Sequence, residues 1–445
     1  MEKADVVIVG GGLAGVSAAV SCAKEGVDVI LVEKYGFLGG LATSGFIGPI
    51  LGHTIPSKKI PIIRGFVEEL VYEMHKEKAS VSFEESVEIG HIPFNSEIMK
   101  LVLDRFIKKY SIKLFLHTTL IGVVKRGRKI KGIKIYTKKG IETIEGKIFI
   151  DSTGDGDLIF LSGGKYYFGR RPDRKVQSMG NMFRISNICE GWEKDKEKIM
   201  EALEEERRKG NLSIYNSRIF NKGSCYGTID FTPNMTRFSG NPLSVKDLTE
   251  GEIFLREQAY RILNICKEVS EYFKNAYISF PAQIGIRESR RLKGLYSLNE
   301  NDILKGIKHP DGIAKSAYWI DIHCPLGRTK NVHLCKSDCP TDKPCIMLEK
   351  YRHLLPTYLY PPNDDYYTIP YRCLLSVNIQ NLLACGRCVS ATHKGISAIR
   401  VMAPCMATGQ AAGIAASLSV KERKKLTEID IERLKRRIRK QGGDV

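Results

Sequence analysis

The N-terminal part of the chain alternates between apolar runs and small residues, and this pattern predicts a strand–helix–strand unit. Residues 5–9 are a β-branched run of the kind that forms a buried parallel strand. Small residues line one helical face of residues 16–25, and Gly26 marks the end of that helix. A second apolar run at residues 27–32 predicts the next strand. The order indicates an α/β fold built on a parallel sheet.

A second group of strands is predicted further along the chain. Residues 112–150 alternate apolar and polar positions between turn residues, which predicts a β-meander. Residues 148–157 end the last of these strands in a turn of small residues. The predicted meander strands are 112–116, 120–125, 130–137 and 141–150.

The C-terminal part of the chain is predicted to return to this sheet. Residues 381–385 predict a strand, and residues 398–418, which are rich in Ala, Gly and Met, predict one helix. The tail places Ile431, Leu434 and Ile438 at helical spacing among basic residues, which predicts an amphipathic helix docked on the protein. Residues between these two ends lack the strand–helix rhythm, so we expect a substrate domain there.

The turn after the first strand carries the clearest chemistry. It reads G-x-G-x-x-G, with Gly10, Gly12 and Gly15 at the required positions. In such a turn the first glycine permits the bend, the second lets backbone approach a pyrophosphate, and the third allows close helix packing. The helix N-terminus then offers N–H groups to the phosphates. Glu33, at the end of the second strand, is placed to accept hydrogen bonds from ribose hydroxyls.

Composition narrows the class of protein. The chain has 445 residues, of which 43% are hydrophobic and 27% charged, as in a folded protein. The formal net charge of +19 permits a nucleic-acid partner, but no Arg-rich block interleaved with aromatics supports one. No stretch is apolar enough to predict a membrane span. The 12 cysteines, without a secretory signal, predict a reducing, cytoplasmic location.

Residues 38–43 form a second glycine-rich loop. An NAD-binding unit does not need such a loop, so its presence favours a dinucleotide other than NAD. Together with the meander and the T-G-D-G-D-L motif at residues 153–158, it resembles the glutathione-reductase/fumarate-reductase flavoprotein superfamily. Within it, the chain is most similar to the FAD-dependent oxidoreductase family that carries this motif. The resemblance continues at residues 285–291, 321–323 and 369–373, and then at residues 381–393, 400–402 and 405–413.

The resemblance implies an α/β fold with a Rossmann-like FAD-binding domain, made of a parallel sheet plus the β-meander, and an inserted α+β substrate domain. The FAD domain would comprise residues 1–160 and 370–420, the substrate or cap domain residues 161–369, and the basic tail helix residues 421–445. FAD is the expected cofactor. The residues expected to contact it are Gly10, Gly12, Leu13, Ala14, Gly15, Glu33, Lys34, Gly39, Gly40, Leu41, Ala42, Thr43, Val123, Thr153, Gly154, Asp157, Gly386, Arg387, Ser397 and Ala398.

Four side chains are the principal candidates for binding or catalysis on the substrate side. Arg287, beside Arg290 and Arg291, is suited to bind a carboxylate, and Arg372 is a second candidate for anion binding. The alternative for the arginines near Glu288 is a salt-bridge cluster between domains. His323 and His393 are candidates for the proton that accompanies hydride transfer, and Tyr367 and Tyr371 are alternatives for that role.

The cysteines offer two further hypotheses. Cys324, Cys335, Cys339 and Cys345 lie in a cysteine-rich loop, residues 323–345, that could ligate zinc or an iron–sulfur cluster. Their spacing fits no standard pattern, and reduced thiols in a packed loop are the alternative. Residues 385–388 form a C-x-x-C pair that could exchange electrons with flavin.

These features predict an FAD-dependent oxidoreductase that transfers a hydride between a small, anionic substrate and flavin N5. No second G-x-G-x-x-G turn leading into a helix is present, so we expect no separate NAD(P)H domain. A tRNA-modifying flavoprotein and an electron-transfer subunit with a metal or iron–sulfur site are the alternatives. The expected partners are a small-molecule substrate and an unidentified electron donor or acceptor. Nucleic acid and membrane are disfavoured, and a homo-oligomer is compatible with these features.

Overall fold

The structure, a computed structural model, describes residues 2–171, 173–214, 222–281, 283–325 and 359–445. Its strands are β1 (Glu2–Val9), β2 (Val29–Val32), β3 (Thr54–Ile55), β4 (Ile60–Pro61), β5 (Lys113–Phe115), β6 (Thr119–Arg126), β7 (Lys129–Thr137), β8 (Gly140–Asp151), β9 (Tyr166–Phe168), β10 (Phe183–Ser186), β11 (Tyr277–Pro281), β12 (Arg290–Leu292), β13 (Gly312–Ser316), β14 (Tyr367–Pro370) and β15 (Leu382–Ala384).

The α-helices are α1 (Leu13–Lys24), α2 (Leu41–Ser44), α3 (Phe66–Lys76), α4 (Phe83–Ile89), α5 (Ser96–Lys109), α6 (Asp157–Leu161), α7 (Lys196–Arg208), α8 (Val245–Val269), α9 (Glu300–Leu304), α10 (His393–Ile399), α11 (Met402–Glu422) and α12 (Ile431–Lys440). Short 3₁₀ helices occur at Trp192–Asp195, Glu271–Phe273, Pro362–Asp364, Tyr371–Cys373, Gly386–Cys388 and Leu426–Glu428.

One sheet of the order β5-β2-β1-β8-β7-β6 organises the two ends of the chain. The long strand β8 takes part in both the antiparallel and the parallel region of this sheet. Its first half pairs antiparallel with β7, and its last residues lie between β1 and β15, both parallel to it. The predicted α/β class, with a parallel sheet and an antiparallel meander, is therefore confirmed. The strand predicted at residues 112–116 is not part of the meander, however, because β5 pairs parallel with β2 at the edge of the sheet, and the meander consists of β6, β7 and β8. Since β1, β8 and β15 end at the same edge, the loops that follow them meet there.

Helix α11 holds this edge together by packing against α1 without intervening side chains. A Cβ built on Gly409 would lie 2.2 Å from Ala14 O, and one on Gly413 would lie 2.3 Å from Ala18 O. Only glycine permits this approach of the two backbones. In addition, Ser17 Oγ donates to Met406 O at 2.7 Å. The C-terminal helix therefore fixes the position of the first glycine turn.

The single helix predicted for residues 398–418 is two helices. α10 ends at Ile399, α11 begins at Met402, and their axes are bent by 93°. Pro404 explains the break, because a proline is tolerated in the first turn of a helix but not in its interior. Val401 is accordingly extended, with φ −70° and ψ 157°. The bend leaves Arg400 between the two helices.

The middle of the chain contains three small sheets, and among the described residues only the sheet of β10 and β11 has a core of its own, since the other two pack against the cores of the main sheet. β10 pairs with β11, β9 with β12, and β13 with β14, each antiparallel. α7 and α8 cover the first of these pairs, around a buried cluster that includes Phe231 and Phe273. At the C-terminus, α12 buries Leu434 and Ile438 against the main core. Of the described helices, none alone is long and apolar enough to cross a membrane, and only the sharply bent, mostly buried pair α10–α11 reaches that length.

Candidate functional site

The two glycine-rich loops lie against one another at the carboxyl edge of the sheet. Gly39 N donates to Gly11 O at 2.9 Å. Gly10 has φ +104°, and a Cβ there would lie 2.5 Å from Ser152 O, so the turn requires glycine. Gly12 is open instead, because the nearest atom to a Cβ built on it is 3.8 Å away. The turn therefore presents bare backbone on one side, as an approaching pyrophosphate needs.

Helix α1 begins directly at this open backbone. Gly12 is its N-cap and supplies no side-chain hydrogen bond, so the first N–H groups of the helix are not capped by it. Such groups, with the positive end of the helix dipole, favour a phosphate.

Glu33 ties the end of β2 to the glycine turn. Its Oε2 accepts a hydrogen bond from Gly11 N at 2.6 Å, and its Oε1 accepts one from Tyr35 N at 2.8 Å. Burial raises the pKa of this carboxyl, and the two backbone donors oppose that rise. Each carboxylate oxygen has a further lone pair, so Glu33 can still accept from ribose hydroxyls.

The loop after β8 joins the same edge and is held by two arginines from distant segments. Arg387 Nη2 lies 3.0 Å from Asp155 Oδ1. Arg290 Nη1 donates to Asp155 O and to Asp157 Oδ1, both at 2.9 Å. This loop is therefore the junction of the main sheet, the C-terminal segment and the middle region.

Two buried guanidinium nitrogens at this junction, Arg387 Nη1 and Arg290 Nε, have no hydrogen-bond partner among the described residues. Such atoms are rare in folded proteins, and each one calls for an explanation. They lie at the same edge of the sheet as the open glycine backbone, so the residues present fit a bound FAD.

The residues predicted to contact FAD occupy several elements around this edge, and their contacts with it stay a prediction. Val123 lies on β6, and Lys34 is exposed just after β2. Ser397 and Ala398 are buried within α10. The others lie in the glycine loops, at the start of α1, in α2, in the segment after β8 and in the 3₁₀ turn after β15. They are Leu13, Ala14, Gly15, Gly40, Leu41, Ala42, Thr43, Thr153, Gly154, Asp157, Gly386 and Arg387.

A fully enclosed ion network, the Glu288 cluster (Glu288, Arg291 and His393), joins α10 to the middle region. Glu288 is 0% exposed, and its Oε2 accepts from His393 Nδ1 at 2.7 Å and from Gln177 N at 3.0 Å. Arg291 forms an ion pair with its other oxygen and donates to Gly169 O at 2.8 Å. Every charge in this cluster thus has a partner.

His393 is held as a neutral ring in this network. Burial, with the nearby Arg291 and Arg170 charges, lowers its pKa to about 3. Because Nδ1 faces the Glu288 carboxylate, we assign the proton to Nδ1. Nε2 is then a buried acceptor without a hydrogen-bond partner among the described residues.

A second network, the Asp321 cluster, comprises Asp321, His323, Arg237, Arg287 and Arg400. Arg400 Nη2 lies 3.0 Å from Asp321 Oδ2, and His323 Nε2 lies 3.4 Å from Asp321 Oδ1. Arg237 Nη2 lies 3.1 Å from His323 Nδ1. A Cβ built on Gly180 would lie 3.2 Å from Arg237 Nη1 and 3.5 Å from Arg287 Nη1, which places the two guanidinium groups side by side.

The Asp321 cluster holds one ionised carboxylate and one neutral histidine among its arginines. Burial, together with the charge of Arg287, lowers the pKa of His323 well below its usual value, so the ring is neutral. Burial opposes ionisation of Asp321, but contact with His323 and Arg400 keeps the pKa of its carboxyl below the usual range. The five residues therefore place three guanidinium groups around one carboxylate. An arginine fork is well suited to bind a carboxylate in two places.

Arg372, the other predicted anion-binding residue, is not brought into either cluster. Its Nε and Nη2 donate to the two oxygens of Asp311 at 2.9 and 3.0 Å. The side chain is 44% exposed. Of the four candidates, His323 and Arg287 meet in the Asp321 cluster, His393 lies in the Glu288 cluster, and Arg372 stands apart.

The Asp321 cluster also contains residues that the sequence reasoning did not assign. Arg237 has no neighbouring motif, and Gln177, whose Oε1 accepts from His323 N at 3.2 Å, lies in a loop without periodicity. Arg400 could have been noticed, because it stands directly before the apolar run that contains Pro404. For Arg237 the sequence carries no signal that we recognise.

The cysteine hypotheses have different outcomes. Cys324 is buried, whereas Cys335, Cys339 and Cys345 lie outside the described residues, so their metal site stays a prediction. Within the part of the chain that is described, no group of three or more His, Cys, Asp or Glu side chains is placed to hold a metal ion. Cys385 and Cys388 are buried, and burial raises the pKa of both thiols well above the usual value, which disfavours the reactive thiolate.

Short regions of the chain are similar to dihydrolipoyl dehydrogenases. The Vibrio cholerae enzyme is 40% identical over 67 residues, which is 15% of this chain and 13% of that protein. The Buchnera aphidicola enzyme is 41% identical over 78 residues, 18% of this chain and 14% of that protein. The chain thus spans only about a seventh of the length of these relatives.

Two solved structures are similar over nearly the whole chain, at low identity. A geranylgeranyl bacteriochlorophyll reductase-like protein from Thermoplasma acidophilum is 14% identical, with 99% of this chain and 84% of that chain covered and a TM-score of 0.45. A myxobacterial chondrochloren halogenase is 11% identical, with 99% and 79% covered and a TM-score of 0.46.

A sequence profile of one family covers nearly the whole chain. The profile described as FAD dependent oxidoreductase matches residues 5–438. This range includes both glycine loops, the loop after β8 and both charged clusters. FAD is therefore the cofactor, and the chain belongs to the FAD-dependent oxidoreductase family.

Proposed function

We propose that the chain transfers a hydride between FAD and a small substrate that carries a carboxylate, and that the Asp321 cluster binds this carboxylate. The single observation that carries the proposal is the pair of guanidinium groups beside Gly180, within a buried cluster of three arginines and one carboxylate. Two guanidinium forks that lie side by side match the two oxygens of one carboxylate, which can accept hydrogen bonds from both.

Each residue of the site has a separate proposed role in binding or in proton transfer. Arg237 and Arg287 bind and orient the carboxylate, while Asp321 holds Arg400 and His323 in position. His393, with its Nδ1 proton on Glu288, offers Nε2 as an acceptor for a substrate proton. The glycine turn and the N-terminus of α1 would hold the pyrophosphate, and Glu33 the ribose. When bound, FAD supplies the ring system that accepts or gives the hydride.

Electrons are proposed to come directly from the substrate or from a small carrier. In the described part of the chain, the turn after β1 is the one G-x-G-x-x-G motif that joins a strand to a helix. This supports the expectation of no separate NAD(P)H domain. A cytoplasmic location also remains our expectation, because the described cysteines are free thiols.

The test uses the purified yellow holoprotein and a panel of small carboxylates with their methyl esters. We expect carboxylates to perturb the flavin spectrum or reduce it, and esters to bind much more weakly. Arg287→Gln and Arg237→Gln should each weaken carboxylate binding by about 10- to 100-fold, as expected for a lost charge-assisted hydrogen bond. Arg256→Gln, an exposed arginine on α8 paired with Glu252, is the matched control. Equal binding of esters and acids would contradict the proposal.

The alternatives from the sequence are tested on the same protein. Steep salt-dependent binding of tRNA would favour a tRNA-modifying flavoprotein, in which phosphates occupy the cationic surface. Iron or zinc in stoichiometric amount would favour the electron-transfer subunit.

A further inference from the structure

A cavity of about 610 Å³ lies in the middle region. Its walls are the rings of Tyr166 and Phe168 on β9, residues 173–176, the loop at residues 239–243, and Pro325. This volume suits a ligand considerably larger than a carboxylate group alone.

Three of the four walls continue directly into the Asp321 cluster. Val176 precedes Gln177, whose Oε1 accepts from His323 N. Ser239 comes two residues after Arg237, and Pro325 two residues after His323. Since two residues span at most about 7 Å, the cavity begins within that distance of the cluster backbone.

The contacts that build the cluster also hold these walls together. Arg237 Nη2 lies 3.1 Å from His323 Nδ1. This contact holds the start of the loop at residues 239–243 close to the segment that contains Pro325. Met179 and Phe238 exchange two backbone hydrogen bonds of 2.8 and 2.9 Å, which joins the wall at residues 173–176 to the same loop. The same contacts therefore position both the walls of the cavity and the residues of the Asp321 cluster.

The fourth wall is aromatic. Tyr166 and Phe168 are two residues apart on β9, so their side chains lie on the same face of the strand. Both rings are partly exposed and line the cavity. The Arg174 guanidinium lies 5.9 Å from the centre of the Phe168 ring. Such a wall favours a planar aromatic group, which can stack on a ring or meet its edge.

The charge of the cavity favours an anion as well. Asp173 is the carboxylate of its lining, and both oxygens of that carboxylate accept from Arg170, at 3.0 Å from Nε and 2.8 Å from Nη2. Arg174 and Lys175 also line the cavity. A negatively charged substrate therefore meets cations at the rim of the cavity before it reaches the cluster.

We propose that this cavity binds the aromatic part of the substrate, and that the substrate class is an aryl carboxylate whose ring is separated from its carboxylate by a short chain. The inference rests on the proposed function, because the carboxylate is placed in the Asp321 cluster. The ring contacts Tyr166 and Phe168.

The test measures binding of three probes to the holoprotein by calorimetry: propionate, 3-phenylpropionate and 3-cyclohexylpropionate. We expect phenylpropionate to bind at least about tenfold more tightly than propionate, and cyclohexylpropionate to recover only part of that gain. Phe168→Ala and Tyr166→Ala should each remove most of the gain and leave the affinity for propionate unchanged. Phe168→Leu, which keeps an apolar side chain, should weaken phenylpropionate more than cyclohexylpropionate.

Tyr72→Ala is the control, because Tyr72 is an exposed aromatic on α3 that lines a different surface cavity. FAD content and melting temperature establish that each variant is folded. A gain that survives both alanine variants would overturn the cavity assignment, and equal binding of the two ring probes would overturn the aromatic class. Both results leave Arg287-dependent propionate binding intact. Failure of all three acids to bind would instead overturn the proposed function.

Discussion

The two buried charged clusters differ in how their charged groups are arranged. In the Glu288 cluster, the carboxylate is enclosed by Arg291, His393 and a backbone N–H. In the Asp321 cluster, the guanidinium groups of Arg237 and Arg287 lie side by side, and Arg400 contacts the carboxylate. Both clusters draw on residues 287–291 and on the C-terminal segment. The difference therefore lies in what is at the centre of each cluster: an enclosed carboxylate in one, and neighbouring guanidinium groups in the other.

This difference separates the stabilising role of the Glu288–Arg291 ion pair from the binding role proposed for the Asp321 cluster. A buried ion pair that loses one member leaves an uncompensated charge, which is strongly destabilising. Neighbouring guanidinium groups repel one another, so the Asp321 cluster gains from an added anion and loses less stability when one of these groups is removed. The comparison thus predicts different responses to substitution, and the following tests measure them.

The largest effect is expected for Glu288→Gln. The substitution removes the counter-charge of Arg291, whose side chain is 2% exposed, and leaves a buried cation unpaired. We expect the free energy of unfolding to fall by about 3–5 kcal/mol, measured by denaturant unfolding of the holoprotein.

Arg287→Gln is the companion measurement for the other cluster. It removes one of two neighbouring guanidinium groups that repel one another, so the free energy of unfolding should fall by less than for Glu288→Gln. If both variants lose the same stability, the two clusters do not differ in the way proposed here.

The next effect concerns pH. In the unfolded chain His393 titrates near 6.5, whereas in the folded protein its pKa is lowered to about 3. Between these values the unfolded state binds more protons, so stability is present at neutral pH and is lost as the pH falls below 6.5. The slope from this group is at most about 1.4 kcal/mol per pH unit.

His393→Gln should flatten this part of the stability profile. The comparison of wild type and variant between mildly acidic and neutral pH isolates the contribution of this ring from those of other groups. An unchanged slope would mean that the ring titrates normally in the folded protein.

An anion should stabilise the protein through the Asp321 cluster. A carboxylate present at about 100 times its dissociation constant adds about 2.7 kcal/mol to the free energy of unfolding. We expect propionate to raise the melting temperature of wild type and of Arg256→Gln, and to raise that of Arg237→Gln by about half as much or less. Equal stabilisation of all three would indicate a general salt effect.

The same contrast explains what the sequence could predict. The glycine turn, Glu33 and the strands β1, β2 and β8 follow from local spacing and periodicity, because backbone geometry imposes those residues. The bend between α10 and α11 was missed, although Pro404 signals it. A proline close to the start of an apolar run is easily taken for an interruption of one helix.

The Asp321 cluster could be predicted only in part. Arg287 and His323 stand in recognisable motifs, but Arg237 comes from a loop and reaches them through tertiary structure alone. The separation of the two clusters could not be predicted either, because Arg287 and Glu288 are adjacent in sequence and belong to different networks. In an irregular segment the side chains follow no regular period, so their directions cannot be inferred from the sequence.

The smallest effect is expected for Arg372, which the sequence placed among the anion-binding candidates. Its bidentate pair with Asp311 is 44% exposed on the arginine side, and exposed pairs of this kind contribute about 0–1 kcal/mol. Arg372→Gln, Asp311→Asn and the double variant form a cycle that gives the coupling energy directly, and high salt should reduce it further. Propionate titration of Arg372→Gln then distinguishes an anion-binding role from a purely structural one. A loss of affinity comparable to that of Arg287→Gln would show that Arg372 belongs to the binding site. An effect confined to stability would show that Arg372 serves only to pair with Asp311.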